Sequence, residues 1–333
     1  MNIYDVSQKA GVSIATVSRV LNGNPNVSEN TRQKVLHVMR EIGYTPNVFA
    51  RGLGLNTMHT IGIMCADSSD PFLANAVYYL EQNLRKNGYD SFLCCTGYDL
   101  VNKKKYMQLL LSKRVDAIIL VGSSFLESVK KDNDYIIAAA ETIPVMLING
   151  YLSHPNIFCT LCDDHQAVFD VTTRFLNQGK KDILYLYTSR SYSGLQKLSG
   201  YKDSITAKQL PLREELMVAC PNNISETKEI LMQAYKNGLR FDAVVASEDQ
   251  LAVAAAKFAK QMALSVPNEL AIVGYNNSIL SECADPEITS IDNHVEALCI
   301  TTVSTLMGVL DGTTLPNKTT ISNDIVIRNT TNF

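Results

Sequence analysis

The chain of 333 residues has no tryptophan, so no indole can report on a bound ligand. It also lacks any continuous apolar run long enough to span a bilayer. Met1 leads almost at once into a polar, amphipathic stretch rather than a signal peptide. A soluble, cytoplasmic protein is therefore expected. No G-x-G-x-x-G follows the first strand-like run, which argues against a dinucleotide enzyme. Nor can a nucleophile–base pair or a phosphate loop be placed, so neither an enzyme nor a cofactor is expected. Eight cysteines are present, yet Cys159-x-x-Cys162 and the adjacent Cys94 and Cys95 have no second Cys or His pair at compatible spacing, and no metal site is expected. Cys65, Cys94, Cys95 and Cys159 fall in apolar, strand-like runs and are read as reduced, buried thiols. The length allows two or three compact units, and hydrophobic residues make up 46% of the chain, enough to bury a sizeable core.

What is present is most concentrated between Ile3 and Leu53. Ile3, Val6 and Ala10 recur at the spacing of one helical face. Gly11 breaks that helix, Val12 returns to the core, and Ser13 is placed to cap the next helix. There Val17, Val20 and Leu21 point inward, leaving Ile14, Ala15, Ser18 and Arg19 outward. Ser28 opens a third helix carrying Val35, Val38, Met39 and Ile42. Two helices joined through Ala-Gly-Val-Ser make a helix-turn-helix, whose second helix enters the DNA major groove. Residues 1–56 hold six Lys or Arg against three Asp or Glu; this net of +3 within a chain of −3 leaves −6 for the rest. Such an asymmetry suits a basic arm on phosphate with an acidic body held away.

The runs DVSQKAGVSIATVSRVLN, VSENTRQKV and IGYTPNVFARGL resemble the DNA-binding headpiece of the lactose-repressor (LacI/GalR) family of bacterial transcription regulators. The resemblance implies that Ser13, Ile14, Ala15, Thr16, Ser18, Arg19, Asn22, Tyr44, Asn47, Ala50 and Leu53 face DNA. It further implies that Asn47 to Gly54 is a hinge helix that orders on the operator, with Leu53 entering the minor groove. Gly52 and Gly54 make that helix marginal in isolation.

From Thr60 onward the pattern changes. TIGIMCA, SFLCCT, AIILVG and VMLIN, then ILYLYT, AVVAS and LAIVGY, are short apolar runs separated by helical stretches. This alternation predicts an α/β core of doubly wound parallel sheets in two lobes, with ligands at the carboxyl ends of strands. It is similar to the periplasmic sugar-binding fold of the family's effector core. Asp70-Pro71-Phe72, Val115 to Ile119, Ile143-Pro144-Val145, Cys162-Asp163-Asp164, Val266-Pro267 to Asn276, Ile288 to Ile291 and Val326 to Thr330 resemble its landmarks in order. Where the chain departs from the family pattern, it does so at the cleft: Lys197 stands for the usual Arg, Glu248-Asp249 for Asn-Asp, and Asn276 for Asp. A point charge replaces a planar fork, so a familiar sugar or purine effector does not follow.

The expected organisation is a headpiece at 1–45, a hinge at 46–59 and a core at 60–333. The first lobe spans about 60–160 and 290–320, the second about 161–289 and 321–333. The expected function is an effector-modulated operator-binding regulator, a repressor acting as a homodimer on pseudo-palindromic double-stranded DNA. The small polar effector, a sugar or related metabolite, would be held by Asp67, Phe72, Asn149, Lys197, Glu248 and Asn276. Alternatives remain open: Glu248 pairing with Lys197 across an empty cleft, a binding protein with vestigial DNA binding, or a core that answers to a partner protein.

Overall fold

In a computed structural model, residues 2–45 and 57–333 are described. The expected hinge positions Asn47, Ala50 and Leu53 lie outside them. Helices α1 (Ile3–Ala10), α2 (Ile14–Leu21) and α3 (Glu29–Glu41) form the N-terminal unit. Asn2 accepts from the Tyr4 and Asp5 amides at 2.9 and 3.2 Å, and Asp5 accepts from the Asn2 amide at 2.7 Å, closing a reciprocal cap. Gly11 ends α1 at φ 61°, a left-handed conformation open to glycine at little cost. Ser13 then caps α2 by accepting from Thr16 N at 3.1 Å. Val6, Ala10, Val17, Val20, Val35 and Met39 meet in one apolar cluster, which three helices must share because none can bury its face alone.

The rest is built on two six-stranded sheets. The first holds β1 (Thr60–Cys65), β2 (Asp90–Cys95), β3 (Ala117–Val121), β4 (Val145–Ile148), β5 (Ile157–Cys162) and β11 (Lys318–Ile321), ordered β11-β5-β4-β3-β1-β2 with every pairing parallel. The second holds β6 (Ile183–Tyr187), β7 (Met217–Ala219), β8 (Ala243–Ala246), β9 (Ala271–Tyr275), β10 (Thr289–Asp292) and β12 (Asp324–Val326), ordered β12-β10-β9-β8-β6-β7. Its one departure from the expected parallel pattern is β12, antiparallel to β10. Helices cover both faces, as parallel sheets require. In the first lobe these are α4 (Pro71–Lys86), α5 (Leu100–Ser112), α6 (Asp134–Ala140) and α12 (Val295–Leu310); in the second, α7 (Asp164–Asn177), α8 (Tyr192–Ala207), α9 (Ile224–Lys236), α10 (Asp249–Gln261) and α11 (Ile279–Cys283). Each sheet has a separate apolar cluster on either face.

The chain crosses between lobes three times: after β5, between β10 and α12, and between β11 and β12. Pairing of β10 with β9 keeps Thr289–Asp292 in the second sheet. The return to the first lobe thus falls after Asp292. In each sheet the winding direction reverses once, between β1 and β3 and between β6 and β8. An open α/β sheet forms its ligand crevice at such reversals, because the two flanking loops leave in opposite directions.

Candidate functional site

In the headpiece, the outward positions of α2 divide by exposure. Ile14, Ala15 and Arg19 are exposed, whereas Thr16, Ser18 and Asn22 are half-buried. Ser13 and Thr16 are joined hydroxyl to hydroxyl at 2.9 Å at the start of α2. The exposed trio occupies the first turns of the helix, the part that reaches base edges in this motif. Tyr44 is half-buried against the three-helix core, with its amide on Met39 O at 2.9 Å.

The cleft between the sheets encloses about 390 Å³, within the size range of small-molecule sites. Its lining comes from strand ends at the two reversals. Asp70 and Phe72 follow β1, Gly122 to Ser124 follow β3, Thr188 to Gly194 follow β6, and Ser247 and Glu248 follow β8. Asn149 after β4 and Asn276 after β9 also line it, both at positive φ, 58° and 94°. Phe72, Asn149, Lys197, Glu248 and Asn276 thus line one cavity. Asp67 does not. Its carboxylate is turned back to accept from Ser69 N at 2.8 Å and Ser69 Oγ at 2.7 Å, bonds that hold its pKa below the usual carboxylate range. Asp70, three residues on, takes the place expected of Asp67, because it caps α4 by accepting from Leu73 N at 3.0 Å and so stands at the cleft wall.

Lys197 is buried on α8 and does not pair with Glu248; among the described residues it has no carboxylate oxygen within 4.0 Å. It donates to Ser247 O at 3.1 Å and lies 3.6 Å from the centroid of the Tyr275 ring. Glu248 instead accepts from Thr188 Oγ1 at 2.6 Å. Below them, buried Asp164 accepts from the Tyr275 hydroxyl. Burial pushes the carboxyls of Asp70, Asp164 and Glu248 above their ordinary range, and the Lys197 ammonium pulls each part of the way back. The neighbouring Asp249 is spent on structure: it accepts from Ser290 Oγ at 2.5 Å and from Ser278 N and Oγ at 2.6 and 2.8 Å. A side chain at Gly274 would run into that carboxylate. Asn149 accepts from Cys162 N at 3.1 Å, and Asn276 accepts from Asn293 Nδ2 at 2.8 Å. Their carbonyls are used, which leaves amide donors for a ligand. The Ser247 hydroxyl is buried without a partner among the described residues, a polar group that a ligand hydroxyl could satisfy.

Sequence reasoning passed over Asp70, Ser123, Thr188, Ser193 and Ser247 as site residues. Ser123, Thr188 and Ser247 each follow an apolar run directly, and that position was the available signal. Asp164, within the landmark Cys162-Asp163-Asp164, is buried at the start of α7 behind the cleft lining. Cys95 also departs from expectation: it is exposed, since β2 is an edge strand.

A helix-turn-helix unit followed by a two-lobed α/β core with a polar cleft defines a ligand-responsive DNA-binding regulator as the class. Residues 2–47 match the family described as "Bacterial regulatory proteins, lacI family", and residues 58–330 match "Periplasmic binding proteins and sugar binding domain of LacI family". The chain belongs to the LacI family of transcriptional regulators. It is 71% identical over 333 residues, all of both chains, to an HTH-type transcriptional regulator of Lachnoclostridium phytofermentans. It is 30% identical to the HTH-type transcriptional regulator DegA of Bacillus subtilis, covering 89% of this chain and 87% of that one. A Lac repressor dimer bound to operator and the anti-inducer ONPF superposes with a TM-score of 0.88 at 24% identity, covering 99% of this chain and 98% of that one. These relatives are regulators rather than enzymes. Among the described residues no helix is long and apolar enough to cross a membrane.

Proposed function

We propose that the protein is a cytoplasmic repressor that binds a pseudo-palindromic operator as a homodimer and changes its grip when a small polyhydroxylated ligand, a sugar or a close derivative, enters the cleft. The observation that carries this reading is the cavity itself, lined from both lobes by Phe72, Asn149, Lys197, Glu248 and Asn276 with Asp70 added. Amides, hydroxyls and carboxyls at strand ends suit a ligand rich in hydroxyls, and Phe72 offers a face for an apolar ring surface. The sugar-binding description of the matched core domain supports the same class. A dimer supports it mechanistically, since one recognition helix reads little sequence and two half-sites about 34–36 Å apart restore specificity.

In the headpiece, Ile14, Ala15 and Arg19 read bases, while Ser13, Thr16, Ser18, Asn22 and Tyr44 position the backbone. Residues 46–59 act as the hinge, with Asn47, Ala50 and Leu53 on the operator. Footprinting on genomic fragments, repeated with a panel of mono- and disaccharides, tests the reading. Protection of a two-fold site that one sugar weakens or strengthens supports it. Absence of any protected site at fixed low salt overturns it.

A further inference from the structure

We propose that Cys65 and Cys95 form a reversible dithiol–disulfide site that hydroperoxides oxidise. The two residues are register partners on the parallel strands β1 and β2, and their sulfurs stand 3.7 Å apart. Adjacent strands lie about 4.8 Å apart, inside the roughly 4.4–6.8 Å Cα separation that disulfides use. Closing the bond therefore needs side-chain rotation without strand movement. Cys94 is excluded as the partner, because it points to the opposite face and is buried against Met107 and Leu110.

The two thiols differ in the way a two-step oxidation requires. Cys95 is exposed on the edge strand, whereas Cys65 is fully buried beneath α4 and α12. Burial pushes the Cys65 thiol up to about 12, so Cys95 rather than Cys65 is the sulfur that meets peroxide first. In the first step the Cys95 sulfur attacks a peroxide oxygen, the O–O bond breaks, and Cys95 sulfenic acid and one water (or alcohol) form. In the second, the Cys65 sulfur attacks Cys95 Sγ; the S–O bond breaks, an S–S bond forms, and the departing hydroxide leaves as water with the Cys65 proton. Two electrons pass from the thiols to one peroxide. A thiol held this close outcompetes further oxidation of the sulfenic acid.

The location gives the oxidation a consequence. β1 runs directly into the turn that carries Asp70, and β2 into the loop that carries Tyr98; both residues line the cleft. Thr96 N already bonds Cys65 O at 2.9 Å, and Gly97 N bonds Ala66 O at 2.9 Å. A disulfide at the same level fixes the two exits to each other and stiffens one wall of the effector site.

The test is free-thiol titration of the full-length native protein before and after hydrogen peroxide, with non-reducing tryptic mapping. Arg85 and Lys86 separate the two cysteines, so the cross-link joins two distinct peptides. The expected result is loss of two of the eight thiols, a Cys65–Cys95 cross-link within one chain, and full recovery with a reductant. Cys95→Ser, at an exposed position, should keep Cys65 unoxidised. Cys65→Ala should leave Cys95 as a sulfenic acid captured by dimedone. Retention of all thiols, a cross-link only between chains, or equal Cys65 oxidation in Cys95→Ser overturns the proposal. Cys283, exposed and without a neighbouring thiol among the described residues, is the internal control for unassisted oxidation.

Discussion

Replacing Lys197 by methionine removes the one ammonium from the cleft floor while keeping most of the side-chain volume. Two losses follow, with different pH dependences. The first is pH-independent near neutrality: the ammonium's contact with the Tyr275 ring at 3.6 Å and its hydrogen bond to Ser247 O at 3.1 Å, together worth about 2 kcal/mol when desolvated. The second comes from Asp164 and Glu248, whose carboxyls burial raises and Lys197 pulls down. A carboxyl whose folded pKa lies above its unfolded value costs stability as pH rises from the unfolded value through the folded one. Without Lys197 both folded values rise further, so the extra cost is absent near pH 4 and grows toward pH 8. Breaking a buried charge interaction costs about 3–5 kcal/mol, and protonation of the carboxyls keeps the loss below that. Denaturant titrations of Lys197→Met should show a larger deficit at pH 8 than at pH 5, by less than about 3–5 kcal/mol. Adding Asp164→Asn should reduce that difference, leaving the part carried by Glu248. An equal deficit at both pH values would mean that Lys197 does not act electrostatically on these carboxyls, and the account of the cleft floor would fall.

Other perturbations address the remaining parts. Arg19→Ala should cost about 1–3 kcal/mol at the cognate operator and relax preference at one base pair; equal weakening on every sequence, read by gel shift at fixed salt, would leave only a phosphate contact. Leu53→Ala should lose operator affinity and reduce DNA bending while non-specific binding persists; an unchanged bend angle refutes the wedge. Asn276→Ala should abolish release by the effector and spare operator binding, measured by calorimetry because the chain has no tryptophan. A variant that still releases DNA at wild-type ligand concentrations moves the pocket elsewhere.

The strands that read easily in the sequence, such as AIILV and AVVA, are buried on both faces and flanked by polar turns. Periodicity finds such elements because their neighbours differ so sharply. Helix α12, VEALCITTVSTLMGVL, was passed over for the opposite reason. It is packed against α4 on one side and β5 on another, so it has apolar residues all round and no polar stripe to mark a helical period. The edge strands β7, β11 and β12 are three or four residues long and half-exposed, too short for alternation to register. Within the site, residues at strand ends were legible. Asp67 and Asp70 were not separable, because which acid faces the cleft depends on the Ser69 turn and on the start of α4.

The cleft carries both a closing contact and an opening one, and their opposition is what makes it suitable for regulation. Ser123 of the first lobe donates to Ser191 of the second at 2.9 Å, and the neighbouring Tyr192 packs among apolar residues of the first lobe. Asp70 and Glu248 line the same cavity from different lobes, and after burial the Asp70 charge is among the causes that push the Glu248 carboxyl up. Closure therefore gains a hydrogen bond and apolar contact on one side and loses to like charge on the other. A ligand that places hydroxyl donors between Asp70 and Glu248 removes the opposing part without touching the latch. Its binding energy then depends on lobe closure, which is the only way a ligand can shift the equilibrium. A difference of about 1–3 kcal/mol between the two closures is enough for effective coupling to DNA.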